Sequence, residues 1–225
     1  MWKRSFIIIS LISLFICGLH DYNARAEDGW TFERNRDGIE VYLRYLPGSS
    51  YKEFKGVMYV SGARLSSMVA AFDDTPSYPR WMHNCIEAKL LKQYNARERY
   101  TYTVTHAPFP ATDRDLVVYS LLSQNPKDLT VTIDITGKSD YISPIKNRVR
   151  IPRMNAKWTF KPVEPGVIMV VYQTANDPGG WLPISLINLS MIDLPFYTML
   201  KFKNIVKETK YASARVPTIR EPRVY

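Results

Sequence analysis

Cysteine is almost absent from this chain, with Cys17 and Cys85 the only two in 225 residues. Cys17 falls in an N-terminal segment with the layout of a secretory signal peptide, so Cys85 stands alone. A lone cysteine forms no intrachain disulfide and reads as a small core residue. Histidine numbers three. No Cys/His cluster has zinc spacing, and His83 and His106 are too few and too far apart to argue for a metal. No G-x-S-x-G nucleophile elbow and no G-x-G-x-x-G occur. Gly137-Lys138-Ser139 resembles the end of a P-loop, but Thr132 stands where the phosphate cradle needs glycine. Internal repeats and low-complexity blocks are missing too. These absences remove the common routes to catalysis and leave no catalytic, metal or cofactor residue to nominate.

Long apolar runs are also scarce. Phe6 to Leu19 carries no charge but is short of the roughly 20 residues a membrane span needs. A basic start at Lys3-Arg4 and an A-x-A site at Ala24-Arg25-Ala26 complete the signal-peptide pattern; an uncleaved anchor is the alternative. Ile16 is too bulky before Cys17 for a lipoprotein site. Cleavage after Ala26 leaves 199 residues with a formal charge of +7. That places the mature chain outside the cytoplasm, in a bacterial periplasm or secreted. The surplus of positive charge favours acidic partners or anionic lipid surfaces. The basic residues are scattered, and no nucleic-acid-binding signature accompanies them.

What is present is alternation. Trp30 to Arg34 reads as a strand, Asp37-Gly38 as a turn, and Ile39 to Tyr45 as a half-buried strand closed by Pro47-Gly48. Phe54 to Val60 makes a third strand. Ser61 is placed to cap a helix with Leu65, Met68, Val69 and Phe72 at helical spacing. Strands follow around Ile86 to Leu90, Tyr100 to Val104, Leu116 to Leu122, Leu129 to Thr136 and Val167 to Val171. A helix from Ile184 to Tyr211 has a single charge, Asp193, before Leu200, and a kink is expected at Pro195. Its last third carries Lys201, Lys203, Lys207 and Lys210. The fold class is α+β, with a curved antiparallel sheet wrapped around the long C-terminal helix. Such a cup encloses an apolar cavity. Tyr100, Tyr102, Tyr119, Met169, Tyr172, Met191, Leu194 and Met199 are its candidate lining, with ordinary core packing the alternative for each. Asp113 and Asp115 near Arg114 invite an acid–base reading, but a loop held by ionic hydrogen bonds suits them better.

Several motifs resemble the START (StAR-related lipid-transfer) family. FPATDRDLV (Phe109 to Val117), RVRIPRMNAKWTFKP (Arg148 to Pro162), DPGGWLP (Asp177 to Pro183) with Ile187-Asn188, and Trp81 before CIEAKLL follow the family order. The resemblance spans Trp30 to Tyr211. It implies a helix-grip fold over residues 27–215 with a tail at 216–225, acting as a monomer. It implies a lipid in the cavity, whether sterol-like, phospholipid or fatty-acyl, carried between membranes with transient contact at an anionic surface. It also implies a gate: a flap at His106 to Asp113, including Phe109 and ending at Arg114, beside a lid joint at Gly179, Gly180 and Trp181. Replacing both glycines with alanine is expected to slow ligand exchange. Some sterol-binding members hold an acid and an arginine in the cavity. Glu87 matches the acid, but Ser120 stands in the arginine's place, leaving Arg99 or Arg150 as partner or Glu87 facing water. Two other readings of the cup remain: an enzyme of the cyclase or hydrolase type, and a ligand-sensing interaction module.

Overall fold

The computed structural model describes residues 29–45, 51–182 and 184–222. The signal-peptide and Pro47-Gly48 readings lie outside them. Three strands come first, β1 (Thr31–Arg36), β2 (Ile39–Tyr45) and β3 (Lys52–Ser61). Asp37 and Gly38 both take positive φ, 54° and 72°, as a two-residue hairpin between right-twisted strands requires. Ile39, Val41 and Leu43 are buried, while Glu40, Tyr42 and Arg44 point outward. Next come α1 (Leu65–Asp73), a 3-10 turn at Thr75–Ser77 and α2 (Tyr78–Trp81). Seven strands follow: β4 (Cys85–Gln93), β5 (Glu98–Thr105), β6 (Arg114–Gln124), β7 (Val131–Gly137), β8 (Val149–Arg150), β9 (Arg153–Glu164) and β10 (Val167–Asp177). Then come α3 (Ile184–Ile205) and α4 (Thr209–Ala212).

The strands form one sheet in the order β1-β2-β3-β10-β9-β7-β6-β5-β4. Every pairing on this path is antiparallel, and only β8 adds parallel to the start of β6. Pairing of β3 with β10 joins the first meander to the last strand.

Helix α3 lies on the inner face of the sheet, and its C-terminal half forms the core. Phe196, Met199, Phe202 and Ile205 are buried there, as is Val206 just beyond the helix. The Phe202 ring sits 4.9 Å from Trp158, 5.0 Å from Trp81 and 5.8 Å from Phe160. Contacts of this kind add directional attraction to the burial of large apolar area. The helix runs through Pro195 without a break in its assignment. It ends at Ile205 rather than Tyr211. Glu208 is extended, with ψ 144°, and starts α4. Tertiary anchors account for the turn: Arg80 donates to Glu208, and the Tyr211 hydroxyl donates to Asp74 at 2.7 Å.

Ser61 does not cap α1; it is the last residue of β3. The first backbone donors of α1 go instead to a carboxylate from the end of the described chain. Glu221 accepts from Leu65 N at 3.1 Å and Ser66 N at 2.8 Å. An anion at this end also suits the helix dipole. Residues 216–222 therefore lie against the domain, with Ile219 buried.

A second, smaller core sits on the outer face. Tyr102, Val104 and Val117 are buried there under Leu91, Tyr100 and Ile142. This covering of β5 and β6 on both faces explains why Leu116 to Leu122 is apolar without alternation.

Candidate functional site

A cavity of about 160 Å³ lies between the inner face of the sheet and the N-terminal half of α3. Each wall follows from strand alternation. β5 and β6 supply Thr103, Thr105, Arg114 and Leu116, whose register pairs are Thr103 with Leu116 and Thr105 with Arg114. β9 and β10 supply Met154, Tyr172, Thr174 and Asn176, and α3 supplies Leu186, Met191, Leu194, Pro195 and Thr198. Lys52, Met82, His83 and Asn84 border it, and His106, Ala107, Pro108, Pro178 and Leu182 close it.

Of the residues nominated from sequence, Tyr172, Met191 and Leu194 line this cavity, as do His106 and Arg114 from the gate. Tyr172 stacks on Trp158 at 4.2 Å, and burial pushes its hydroxyl up to about 12, so it stays neutral. The other nominations lie elsewhere. Tyr100 and Tyr102 share a face of β5, but it is the outer one. Tyr100 stacks on Tyr141 at 4.0 Å, and Tyr102 takes a hydrogen bond from Arg148 at 2.5 Å. Tyr119 is on the same outer side and donates to Glu98. Met169 alternates with buried Ile168 and Val170, so it faces away from the core beside Tyr59 and Lys161. Met199 is fully buried, but in the packed half of α3, where it fills the space over Gly56.

Glu87 is also outside. It pairs with Arg148 at 2.7 Å and Lys89 at 2.6 Å. Hydrogen bonds from Lys89 and Arg148 hold its carboxyl below the usual range. Neither arginine suggested from sequence reaches it. Arg99 pairs with Asp73 at 2.5 Å, and Arg150 binds Asp115 through two bonds of 2.9 Å. Asp115 is thereby committed on the face opposite Arg114. Cys85 is buried, and burial raises its thiol to about 11. Among the described residues no group of three His, Cys, Asp or Glu is placed to hold a metal.

The residues nominated as a gate make definite contacts. The flap spans residues 106–113. His106 N donates to Asn84 O at 2.8 Å. Asp113 accepts from Ala107 N at 3.0 Å and lies 3.0 Å from His106 Nδ1. Phe109 at the flap tip is 96% exposed, and Trp181 beside the lid joint is 71% exposed. Arg114 is 6% exposed and connects the two parts. Its guanidinium donates to Thr112 O at the base of the flap and to Trp181 O at 3.1 Å. Burial holds its pKa below the ordinary arginine value, with Asp113 opposing. In the joint, Asp177 Oδ1 accepts from Gly179 N at 2.9 Å. Gly179 and Gly180 take φ of 66° and 56°, a region open to glycine and costly for other residues.

Sequence reading missed His83, Thr103 and Thr105. The Thr101, Thr103, Thr105 alternation carries a signal for them, but the larger tyrosine side chains of β5 point a composition argument to the opposite face.

The START domain profile matches residues 16–195. An uncharacterized protein of Pseudomonas aeruginosa is 35% identical over 177 residues, 79% of this chain and 86% of its own. A solved fragment of a STAR-related lipid transfer protein from Xanthomonas axonopodis superposes with a TM-score of 0.74 at 30% identity. That match covers 80% of this chain and all of the fragment. Human STARD10, at 20% identity and a TM-score of 0.71, shares the fold over 82% of this chain and 76% of its own. The ten-stranded sheet gripping α3 is the helix-grip architecture, and the profile match with the 35% identical relative establishes that this chain belongs to the START domain family.

Proposed function

We propose that the protein binds a hydrophobic lipid in the cavity under α3 and carries it between membranes. The observation that carries this reading is the gated cavity itself. Its inner wall is largely apolar, and a flap and a two-glycine joint meet over it through one buried arginine. Burial stabilises a lipid chain by roughly 0.8 kcal/mol per CH₂. A chain of several buried CH₂ groups therefore gains more from the cavity than from any single polar contact. The similarity to a STAR-related lipid transfer protein supports the same class of ligand.

Release belongs at a membrane. Phe109 and Trp181 expose large apolar surface on the two moving parts, and side chains of this kind enter the headgroup region. The net positive charge favours an anionic surface. The lysines near the end of α3 do not share this footprint. Lys201 lies about 25 Å from the start of the helix at 1.5 Å per residue. Lys203 donates to Asp37 O, and Lys210 pairs with Asp74. Docking is therefore assigned to the flap and the joint. The reading includes export, on the N-terminal pattern at Lys3 to Ala26, and action as a monomer, since one chain supplies the whole cavity wall.

Native mass spectrometry of the protein purified from its own host, with extraction of bound material, tests the carrier reading. A discrete lipid mass that exchanges between vesicles is expected. A protein that arrives empty and takes up no fluorescent sterol, fatty acid or phospholipid rules it out.

A further inference from the structure

The ionisable side chains around the cavity are biased to one sign. Lys52, His83, His106 and Arg114 line it, and its described lining contains no carboxylate. The acids around these groups are engaged: Asp113 with His106, Asp115 with Arg150 on the opposite face, and Asp193, which faces His83, with Arg34. Arg114 has no ion pair among the described residues. Its partners are two carbonyl oxygens, which orient a guanidinium but do not neutralise it. Its Nε–H is buried with no acceptor. His83 Nδ1 is likewise buried without a partner, next in sequence to Asn84, whose carbonyl accepts from the flap's His106 N. A buried cation without a counter-charge is costly, and unpaired buried polar atoms add to that cost.

These groups share one end of the cavity. The Thr105–Arg114 pairing puts both side chains on the inner face. The His106 N to Asn84 O bond brings residues 83 and 84 beside the flap. Leu116 is two residues further along β6 on the same face, about 7 Å inward. Met191 and Leu194 continue the apolar wall. The polar end is thus at the gate and the apolar end beneath α3.

We propose that Arg114, assisted by His83 and His106, forms an oxyanion subsite. The ligand would be a single-chain amphiphile with an anionic head, a carboxylate or a phosphate monoester, its chain lying along Leu116, Met191 and Leu194. This rests on the lipid-binding reading and narrows it. A cavity of about 160 Å³ is small even for one chain and leaves no room for two. An oxyanion at Nε leaves the bonds to Thr112 O and Trp181 O in place, so the loaded form keeps its flap tied to the lid joint.

The test is calorimetric titration of the full chain with dodecanoate, dodecyl phosphate, 1-dodecanol and methyl dodecanoate. Either anion is expected to bind the wild-type chain at least about tenfold more tightly than the alcohol, the worth of one hydrogen bond to a charged group. Arg114→Met should bring the ratio of anion to alcohol affinity to about one, a ratio that is read independently of any change in absolute affinity when the flap loses its tie. Arg114→Lys should restore part of the preference. Equal affinity for acid, alcohol and ester in the wild-type chain would overturn the subsite and leave the carrier reading standing. A preference that survives in Arg114→Met would remove Arg114 from the assignment. Displacement of dodecanoate by equimolar inorganic phosphate would make the site one for free anions and overturn the proposal. No binding by any of the four would overturn the subsite, and the carrier reading would then be decided separately by the uptake of fluorescent sterol and phospholipid.

Discussion

Gly179→Ala should damage this protein more than Gly180→Ala, although the two glycines are neighbours with similar backbone angles. Both sit at left-handed φ, where a residue with a Cβ is strained by about 1–2 kcal/mol. Alanine recovers about 0.4–1 kcal/mol by restricting the unfolded chain. The surroundings then separate them. A Cβ on Gly179 would stand 2.9 Å from Arg150 O and 2.9 Å from Pro152 Cδ. Neither can yield, because Arg150 is clamped by Asp115 and proline is a ring. A Cβ on Gly180 would stand 3.1 Å from Val149 Cγ1, a methyl that can give by tenths of an ångström. Overpacking of the first kind costs about 1–3 kcal/mol. The totals are therefore about 2–4 kcal/mol for Gly179→Ala and about 1 kcal/mol for Gly180→Ala.

Urea unfolding with a constant m-value measures both, and the larger loss corresponds to a fall in Tm of roughly 4–16 °C for a chain of this size. A Gly179→Ala chain within about 0.5 kcal/mol of wild type, or a Gly180→Ala chain that is the less stable, would refute the geometry. The same strain fixes a sign for ligand exchange. It falls on the closed joint, so alanine raises the closed form relative to an open one. Exchange should quicken, the reverse of what composition alone suggests. Unchanged exchange in a folded variant would remove the joint from the opening motion.

Three further outcomes are expected. Glu221→Ala removes the acceptor from two helix-start donors and should lower stability by about 1 kcal/mol; an unchanged urea midpoint would show that solvent serves α1 as well. Burial of Asp74 works against its ionisation, but hydrogen bonds from Lys210, Ser77 and Tyr211 prevail and bring its pKa down to about 2. Its contribution is complete above the usual carboxylate range and is lost as pH falls through 2. Asp74→Asn should therefore cost about 1 kcal/mol at pH 7, allowing for solvent screening, and flatten the stability profile between pH 4 and 2; an unaltered profile would contradict the assignment. Phe109→Ser with Trp181→Ser should slow lipid transfer between anionic vesicles several-fold without changing ligand affinity, and a matching loss of affinity would place those side chains in binding rather than docking.

The fold was legible because its signals were local. Alternation in β2 and β7, the Asp37-Gly38 turn and the apolar length of α3 each follow from backbone periodicity. The cavity lining was less so, for a specific reason. Alternation tells which residues share a face but not which face looks inward. On β5 the tyrosines and the threonines alternate, and the larger apolar set was assigned to the cavity. The structure gives that set its own cover, with Ile142 and the Tyr141 ring from the loop before β8, and turns Thr103 and Thr105 to the inside. Nothing near β5 in the sequence announces that cover. Likewise Met199 and Met191 are eight residues apart on one helix, yet only the second faces the cavity, because the aromatic cluster at Phe202 claims the other half of α3.

The dipeptide Arg114-Asp115 shows how the two faces are coupled. Adjacent strand residues point in opposite directions. Arg114 therefore ties flap to lid joint on the inside, while Asp115 clamps Arg150 outside. Arg150 O in turn is, with Pro152 Cδ, one of the two atoms that confine Gly179. The closed position of the lid joint is thus set from the back of the sheet, and the proposed opening lifts the joint off that contact together with the parts not so confined. The C-terminal half of α3 is fixed by Trp81, Trp158 and Phe202. Its N-terminal half carries half-buried Leu186, follows half-buried Leu182, and borders the cavity with the flap. A cavity of about 160 Å³ is below the roughly 300–1,000 Å³ of pockets that enclose drug-sized ligands. On the proposed carrier reading, a long acyl chain gains its room there, by displacement of the flap and the first turns of α3 about a core that stays packed.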